Sequence, residues 1–267
     1  MNSRILIQGG GDLASGVAAR LHRAGFQVLI TELPQPLVVR RLVSFAEAVY
    51  AGEVQVEGIT AQLSENFTQV ESIISNQAIA VLVDPDLNCI ESFDPLVLID
   101  ARMTKKSQDS RPADVPLVIG LGPGFSAGRN CDAVIETMRG HTLGRVIWQG
   151  EALPDTKIPE TISGRDHDRV LRAPADGLLR THAQIADQVK EGELLAEVAG
   201  VKVKAPFTGV VRGLLHDKLV VKTGMKIGDV DPRNDPLFCS LISDKALAIG
   251  GGVLEAILAK PEIRAKL

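Results

Sequence analysis

Ile5, Leu6 and Ile7 run into Gly9, Gly10 and Gly11, and Leu13, Val17, Ala18 and Leu21 follow at helical spacing. Gly9, Gly11 and Ala14 fit the G-x-G-x-x-G/A pattern of a phosphate-binding turn between a strand and a helix. In that pattern Gly9 permits the tight turn, Gly11 lets a pyrophosphate approach the backbone, and Ala14 lets helix and strand pack closely. Gly10, Asp12 and Leu13 complete the loop and the helix start, whose free N–H groups and positive dipole end suit a phosphate. Glu32 lies 23 residues on from Gly9, where an acid takes a ribose 2′-hydroxyl and favours NAD-like or adenosine ligands over a 2′-phosphate. Asp12 either repels a phosphate or caps the helix. The plain alternative is a glycine-rich corner with no ligand.

Other polar residues fall just after apolar runs, where open α/β sheets bind their ligands. Asp84 and Asp86 follow Ile79–Val83; Asp100, Arg102, Lys105 and Lys106 follow Leu96–Ile99; Gly122 and Gly124 open the loop GPGFSAG after Leu117–Leu121. That loop can form a backbone anion nest. Lys105 and Lys106 either hold a second phosphate or are solvated surface, and Asp84 also suits a plain Asp-Pro turn. The stretch RGHTLGR brings Arg139, His141 and Arg145 together between two β-rich runs. Two arginines and a histidine can bind an anion, and His141 can exchange a proton; a basic hairpin turn is the bland reading. His141 and Cys131 are the candidate catalytic groups, with Cys131 the cysteine placed to carry a persulfide or selenide; a lone cysteine is more often a small hydrophobe. Cys89, Cys131 and Cys239 are far apart with no CxxC pair, so no metal site or disulfide framework is expected.

The elements that must position these residues read as alternating strands and helices. Strands are expected at Arg4–Gln8, Val28–Thr31, Ile79–Val83, Leu96–Ile99 and Leu117–Leu121, with helices after Gly11 and over Leu37–Tyr50. The runs are continuously apolar, as in parallel strands covered on both faces. They predict a Rossmann-like doubly wound α/β sheet over 1–150. Asp132–Met138 and Arg145–Gln149 are expected to form a hairpin around RGHTLG. Residues 151–168 read as a linker, with Pro154, Pro159 and Gly164.

An internal repeat follows. LRAPADGLLR (Leu171–Arg180) matches VKAPFTGVVR (Val203–Arg212), and VKEGELLAEV (Val189–Val198) matches VKTGMKIGDV (Val221–Val230), all at an offset of 32. Two such β-rich halves cannot bury their faces alone and would close on each other. The pattern predicts a small all-β barrel-sandwich hybrid domain over 169–232, as in biotinyl and lipoyl carriers. The carrier lysine position is Val198 here, and Lys202 fits only with an altered hairpin, so no covalent biotin or lipoate is expected. The segment 233–267 is expected to pack back on the first domain, with a second triple glycine, Gly250–Gly252, expected to precede a helix from Val253.

The composition narrows the partners. Lys and Arg number 29 against 33 Asp and Glu, a net charge of −4 that disfavours nucleic acid. Aromatics are 3%, too few for base-stacking platforms. No apolar run approaches the ~20 residues of a membrane span, and with a first strand expected at Arg4 no leader is expected. A soluble cytoplasmic protein is the expectation, and self-association stays open.

The chain resembles the YqeB-type accessory proteins of selenium-dependent molybdenum hydroxylases. The matching stretches are GGGDLASG (9–16), GPGFSAG (122–128), ETMRGHTLGRVIWQG (136–150), GDVDPR (228–233) and ISDKALAIGGGVLEAIL (242–258), spread over nearly the whole chain. The resemblance implies a role in maturing or supplying a molybdenum cofactor for a client hydroxylase. A phosphate-cradling turn is compatible with a molybdopterin-type cofactor, with NAD or with an adenine nucleotide. The rival readings are an NAD-dependent oxidoreductase using His141 and, more remotely, a covalent carrier.

Overall fold

The computed structural model describes residues 3–104, 111, 115–156 and 168–267. The chain divides into two compact units: residues 1–36, 44–155 and 242–267 form unit 1, and residues 37–43 and 156–241 form unit 2.

Unit 1 opens with β1 (Arg4–Gln8), α1 (Asp12–Arg23) and β2 (Gln27–Glu32). The chain re-enters with α2 (Ala48–Ala51), the antiparallel pair β3 (Glu53–Val56) and β4 (Ile59–Ser64), α3 (Phe67–Ser75) and β5 (Ile79–Val83). Then come α4 (Ile90–Phe93), β6 (Val97–Asp100), β7 (Leu117–Leu121), β8 (Ser126–Ala127), β9 (Ala133–Ile135), β10 (Val146–Ile147) and β11 (Gly150–Glu151). α5 (Asp244–Ala259) and α6 (Pro261–Arg264) complete the unit from the far end of the chain. Among the described residues nine strands form one sheet in the order β10-β9-β7-β6-β1-β2-β5-β4-β3. Ile5, Leu6, Ile7, Leu29, Ile30 and Ile99 are fully buried, as strands covered on both faces require.

Unit 2 holds the repeat. β12 (Val170–Arg172), β13 (Gly177–Thr181), β14 (Gln188–Val189) and β15 (Leu194–Val198) come from its first half. β16 (Val201–Lys204), β17 (Gly209–Leu214), β18 (Val220–Val221) and β19 (Lys226–Asp231) come from its second. They pair as two antiparallel sheets of four, β12-β19-β17-β14 and β16-β15-β13-β18, so each sheet mixes strands from both halves. Leu179, Leu195, Val198, Val211, Val221 and Ile227 share one core. Residues 37–41 belong here too: Leu214 N–H donates to the Val39 carbonyl (2.8 Å), Arg41 Nε to that of Leu214 (2.7 Å), and Arg40 to those of Phe238 and Leu241.

The expected fold class, a Rossmann-like doubly wound sheet plus a barrel-sandwich hybrid, gives way to a mixed α/β architecture with a large mixed sheet. β3 and β10 run antiparallel at its two edges, and β7 passes to its parallel neighbour β9 through the two-residue β8 with no helix. The helix with the most extensive packing on α1 is α5, from the opposite end of the chain. Continuous apolar runs reveal the central strands. They say nothing about the edges, where β3 reads Glu-Val-Gln-Val and β10 has two residues.

Two helix expectations also change. Leu37–Tyr50 is not one helix: it is an extended segment, two 3-10 turns at Arg41–Val43 and Phe45–Glu47, and the short α2. Backbone pairing of Val39 with Leu214 outcompetes the helical pattern there. Gly250–Gly252 lies inside α5 instead of preceding a helix. A Cβ on Gly16 would stand 2.5 Å from the Ala246 Cβ, and one on Gly250 would stand 2.9 Å from the Gly16 carbonyl oxygen. The glycines are a packing seam that lets α1 and α5 approach closely. Among the described residues one stretch, Pro236–Ala259, has the length and apolarity to cross a membrane. It is broken at Ser240–Ser243, and Ala246, Ile249, Val253 and Ile257 of α5 are buried within unit 1.

Candidate functional site

The parallel strands bring Gly9–Asp12, Glu32, Asp84, Asp100–Arg102 and Gly122 to one rim of the sheet, at their carboxyl ends. Gly9 has φ +92, and its N–H donates to the Thr31 carbonyl at 2.8 Å. A Cβ there would lie 3.3 Å from the backbone of Arg102. Gly10 is buried, and a Cβ there would meet the Ala46 nitrogen at 2.9 Å. Its carbonyl accepts from Ala46 N–H (2.9 Å) and Ser15 Oγ (3.0 Å), while Ser15 Oγ accepts from Phe45 N–H (2.8 Å). The segment 44–46 is thus tied onto the glycine turn. Ser15 and Ala46 carry this arrangement without any sequence signal beyond their small size.

Gly11 is the residue before α1, at φ −69 and ψ −174, an extended conformation open to any residue. No side chain caps the helix there. Asp12 and Leu13 are half-buried at the opening turn, and Ala14 is buried beneath it. Glu32 is buried at the end of β2, and its carboxylate accepts from Gly10 N–H (2.6 Å) and Leu33 N–H (2.8 Å). Burial raises its pKa above the usual glutamate value, partly offset by these two hydrogen bonds. It sits at the glycine turn, as its spacing implies, but both oxygens already hold protein amides.

Across the rim, Gln8 stands beside Thr31 on one side and Asp100 on the other. Gln8 Nε2 donates to the Pro85 carbonyl (3.0 Å), and Asp100 forms a two-pronged ion pair with Arg102. Thr31 Oγ1 is buried with no hydrogen-bond partner. Asp84 accepts from Asn88 N–H (3.0 Å) and Cys89 N–H (2.7 Å), and closes its own turn. These hydrogen bonds outweigh its desolvation and hold its carboxyl below the usual range. Lys105 and Lys106 lie outside the described residues.

The other loops are built on buried anchors. Gly122 has φ +71, and a Cβ on it would run into Thr137 Oγ1. Gly124 has φ +106. β9 and β10 form the hairpin expected around RGHTLG. Sequence reasoning passed over Glu136, which is buried and accepts from Met138 N–H (2.7 Å) and Leu153 N–H (2.8 Å), fixing both ends of this region. Arg139 pairs through both terminal nitrogens with Asp244, at 2.6 and 2.7 Å. His141 and Arg145 are exposed, and Arg145 Nε donates to the His141 carbonyl at 3.1 Å. Cys131 is buried and its thiol is pushed up to about 11, chiefly by desolvation, so it is not poised as a thiolate. Among the described residues no three His, Cys, Asp or Glu side chains converge as a metal set.

The rim therefore joins the glycine turn, Glu32 and the Asp100–Arg102 pair. The basic hairpin 139–145 is positioned by Glu136 and α5. What the rim offers a ligand is backbone N–H at the start of α1, the arrangement that binds anions.

No family model matches the chain. It is 47% identical over 254 residues to the Escherichia coli (strain K12) protein described as "Uncharacterized protein YqeB", covering 95% of this chain and 47% of that one. Solved structures show only faint likeness. The ectoine utilization protein EutE (DoeB) from Ruegeria pomeroyi has 10% identity and a TM-score of 0.25, over 85% of this chain and 56% of that one. A succinylglutamate desuccinylase from Silicibacter sp. TM1040 has 14% identity and a TM-score of 0.27, over 85% of this chain and 84% of that one. These scores are too low to establish a shared fold. The sequence likeness to YqeB is far stronger, and this chain spans about half the length of that curated relative.

Proposed function

We propose that this chain is a cofactor-binding maturation protein for selenium-dependent molybdenum hydroxylases, with binding as its main physical act. Its ligand in this reading is a molybdopterin-type cofactor or a nucleotide, held by its phosphate at the start of α1. The carrying observation is Gly11: it needs no side-chain freedom for its φ of −69, yet it precedes an uncapped helix at the carboxyl rim. Gly9 and Gly10, in contrast, are small because Arg102 and Ala46 press on them. The residues fit the phosphate end of such a group, through the amides of Gly11 and Leu13. Arg145 and His141 would contact the rest of the cofactor. In this reading the protein works in the cytoplasm and hands its ligand to a client hydroxylase.

The test is a calorimetric titration with molybdopterin, with its nucleotide form, and with NAD, NADH and ATP, repeated on Gly11→Asp. The proposal expects binding of the molybdopterin forms that is lost in a variant whose thermal unfolding is unchanged. Binding of NADH alone would replace it with a redox reading. No binding by any of the five would leave the glycines as a corner and end the proposal.

A further inference from the structure

The repeat gives unit 2 two comparable outer faces, and only one is covered. On the sheet containing β17, Val210 points away from the core yet is fully buried. The 3-10 turn Pro236–Cys239 lies against β17, with Cys239 Sγ 3.6 Å from the Val211 carbonyl, and Arg40 binds the carbonyls of Phe238 and Leu241. Beneath this cover Arg212 meets two buried carboxylates, Asp229 (2.9 Å) and Asp231 (3.4 Å).

The counterpart of each of these residues lies 32 positions earlier. Leu178 takes the place of Val210, Arg180 of Arg212 and Glu197 of Asp229. Arg180 and Glu197 are register partners, as are Leu178 and Val220. Alternation along β13 puts Leu178 and Arg180 on the outer face, since Leu179 is buried. This face is bare: Leu178 is 41% exposed and Val220 68%. Ala199 stands where Asp231 would be, so the second carboxylate is missing. Lys202, the neighbour of Glu197 on β16, adds a further positive charge. Among the described residues the Arg180 and Lys202 side chains make no hydrogen bond or ion pair, while the Glu197 carboxylate lies 3.7 Å from His182 Nε2.

We propose that the outer face formed by Leu178, Arg180, Glu197, Lys202 and Val220 docks an acidic, apolar segment of a partner protein. The segment would seat apolar side chains on Leu178 and Val220 and supply Arg180 with the carboxylate that Asp231 gives Arg212. The excess of positive charge selects an acidic partner over a second copy of this face, which would oppose like charges. This proposal is independent of the cofactor reading.

The experiment titrates isotope-labelled full-length protein with an acetylated hexapeptide alternating leucine and glutamate, and with a lysine-for-glutamate version. The expected result is saturable amide shifts confined to β13, β15, β16 and β18, with the acidic peptide only. Arg180→Glu and Val220→Asp should each weaken binding about tenfold, or about 1.4 kcal/mol, while Arg180→Lys retains it. Both sites are exposed, and unchanged thermal unfolding confirms that the variants fold. Equal binding of the lysine peptide, or no shift on this face with either, overturns the proposal. A reversible dimer in sedimentation that Arg180→Glu dissolves would overturn it in favour of a second copy.

Discussion

The Glu32 carboxylate accepts the Gly10 N–H at 2.6 Å, so the acid that ends β2 holds the glycine turn that follows β1. Its second oxygen takes the Leu33 N–H at 2.8 Å. Glu32→Gln turns one acceptor into a donor facing an N–H, and a buried unsatisfied group costs about 1–3 kcal/mol. Urea unfolding should show a loss of that size.

Glu32 also sets a pH dependence. Its folded pKa is raised, chiefly by burial, so the folded state holds its proton longer than the unfolded chain does. Its stabilising contribution is full below the unfolded glutamate pKa and is lost as pH rises through the higher folded value. Between those two values the wild type should lose stability relative to Glu32→Gln. A parallel course of both proteins across that window would remove Glu32 as the source.

Neighbouring glycines in α5 should respond in opposite directions. A Cβ on Gly251 meets nothing within 4 Å, so Gly251→Ala should stabilise by about 0.5–1 kcal/mol through helix propensity. A Cβ on Gly252 runs into the Gly144 carbonyl oxygen, so Gly252→Ala should destabilise by about 1–3 kcal/mol. Thermal melts of the two single variants, compared side by side, decide this.

The cysteines should resist alkylation in the folded protein. Desolvation pushes Cys89 up to about 12 and Cys131 up to about 11, and all three thiols are buried. Iodoacetamide at mildly alkaline pH should leave both unmodified by mass spectrometry, and label them once the chain unfolds. Rapid labelling of native Cys131 would restore it as a reactive group.

In unit 2, Asp229 is fully buried between Arg169 and Arg212. Removing one partner of a buried pair leaves an uncompensated charge, so Asp229→Ala should cost about 3–5 kcal/mol. Arg180→Ala, at the exposed counterpart of Arg212, should change stability by less than about 0.5 kcal/mol. Chemical denaturation of both variants separates the two faces of the repeat.

The central strands were legible because Ile5–Ile7, Ile79–Val83 and Leu117–Leu121 are apolar without interruption, the mark of burial on both faces. The position of Glu32 at the glycine turn was also legible, because βα spacing fixes where the second strand ends. Its engagement by Gly10 and Leu33 was not, since hydrogen-bond direction leaves no trace in composition. The edge strands, the breakup of Leu37–Tyr50 and the glycines inside α5 escaped for one reason. Each is decided by partners distant in sequence, such as Leu214 for Val39 and Gly16 for Gly250. Glu136 was passed over because a buried carboxylate serving two backbone amides looks, in sequence, like any surface acid.

The seam between Gly16 and Ala246 sets the order in which the chain can be completed. α1 leaves the ribosome more than 200 residues before α5, which packs on it. Until then the face of α1 around Gly16 has no α5 to cover it, and residues 37–241 emerge in between. A chain stalled short of Ser243 therefore keeps that face of α1 open for chaperones to read.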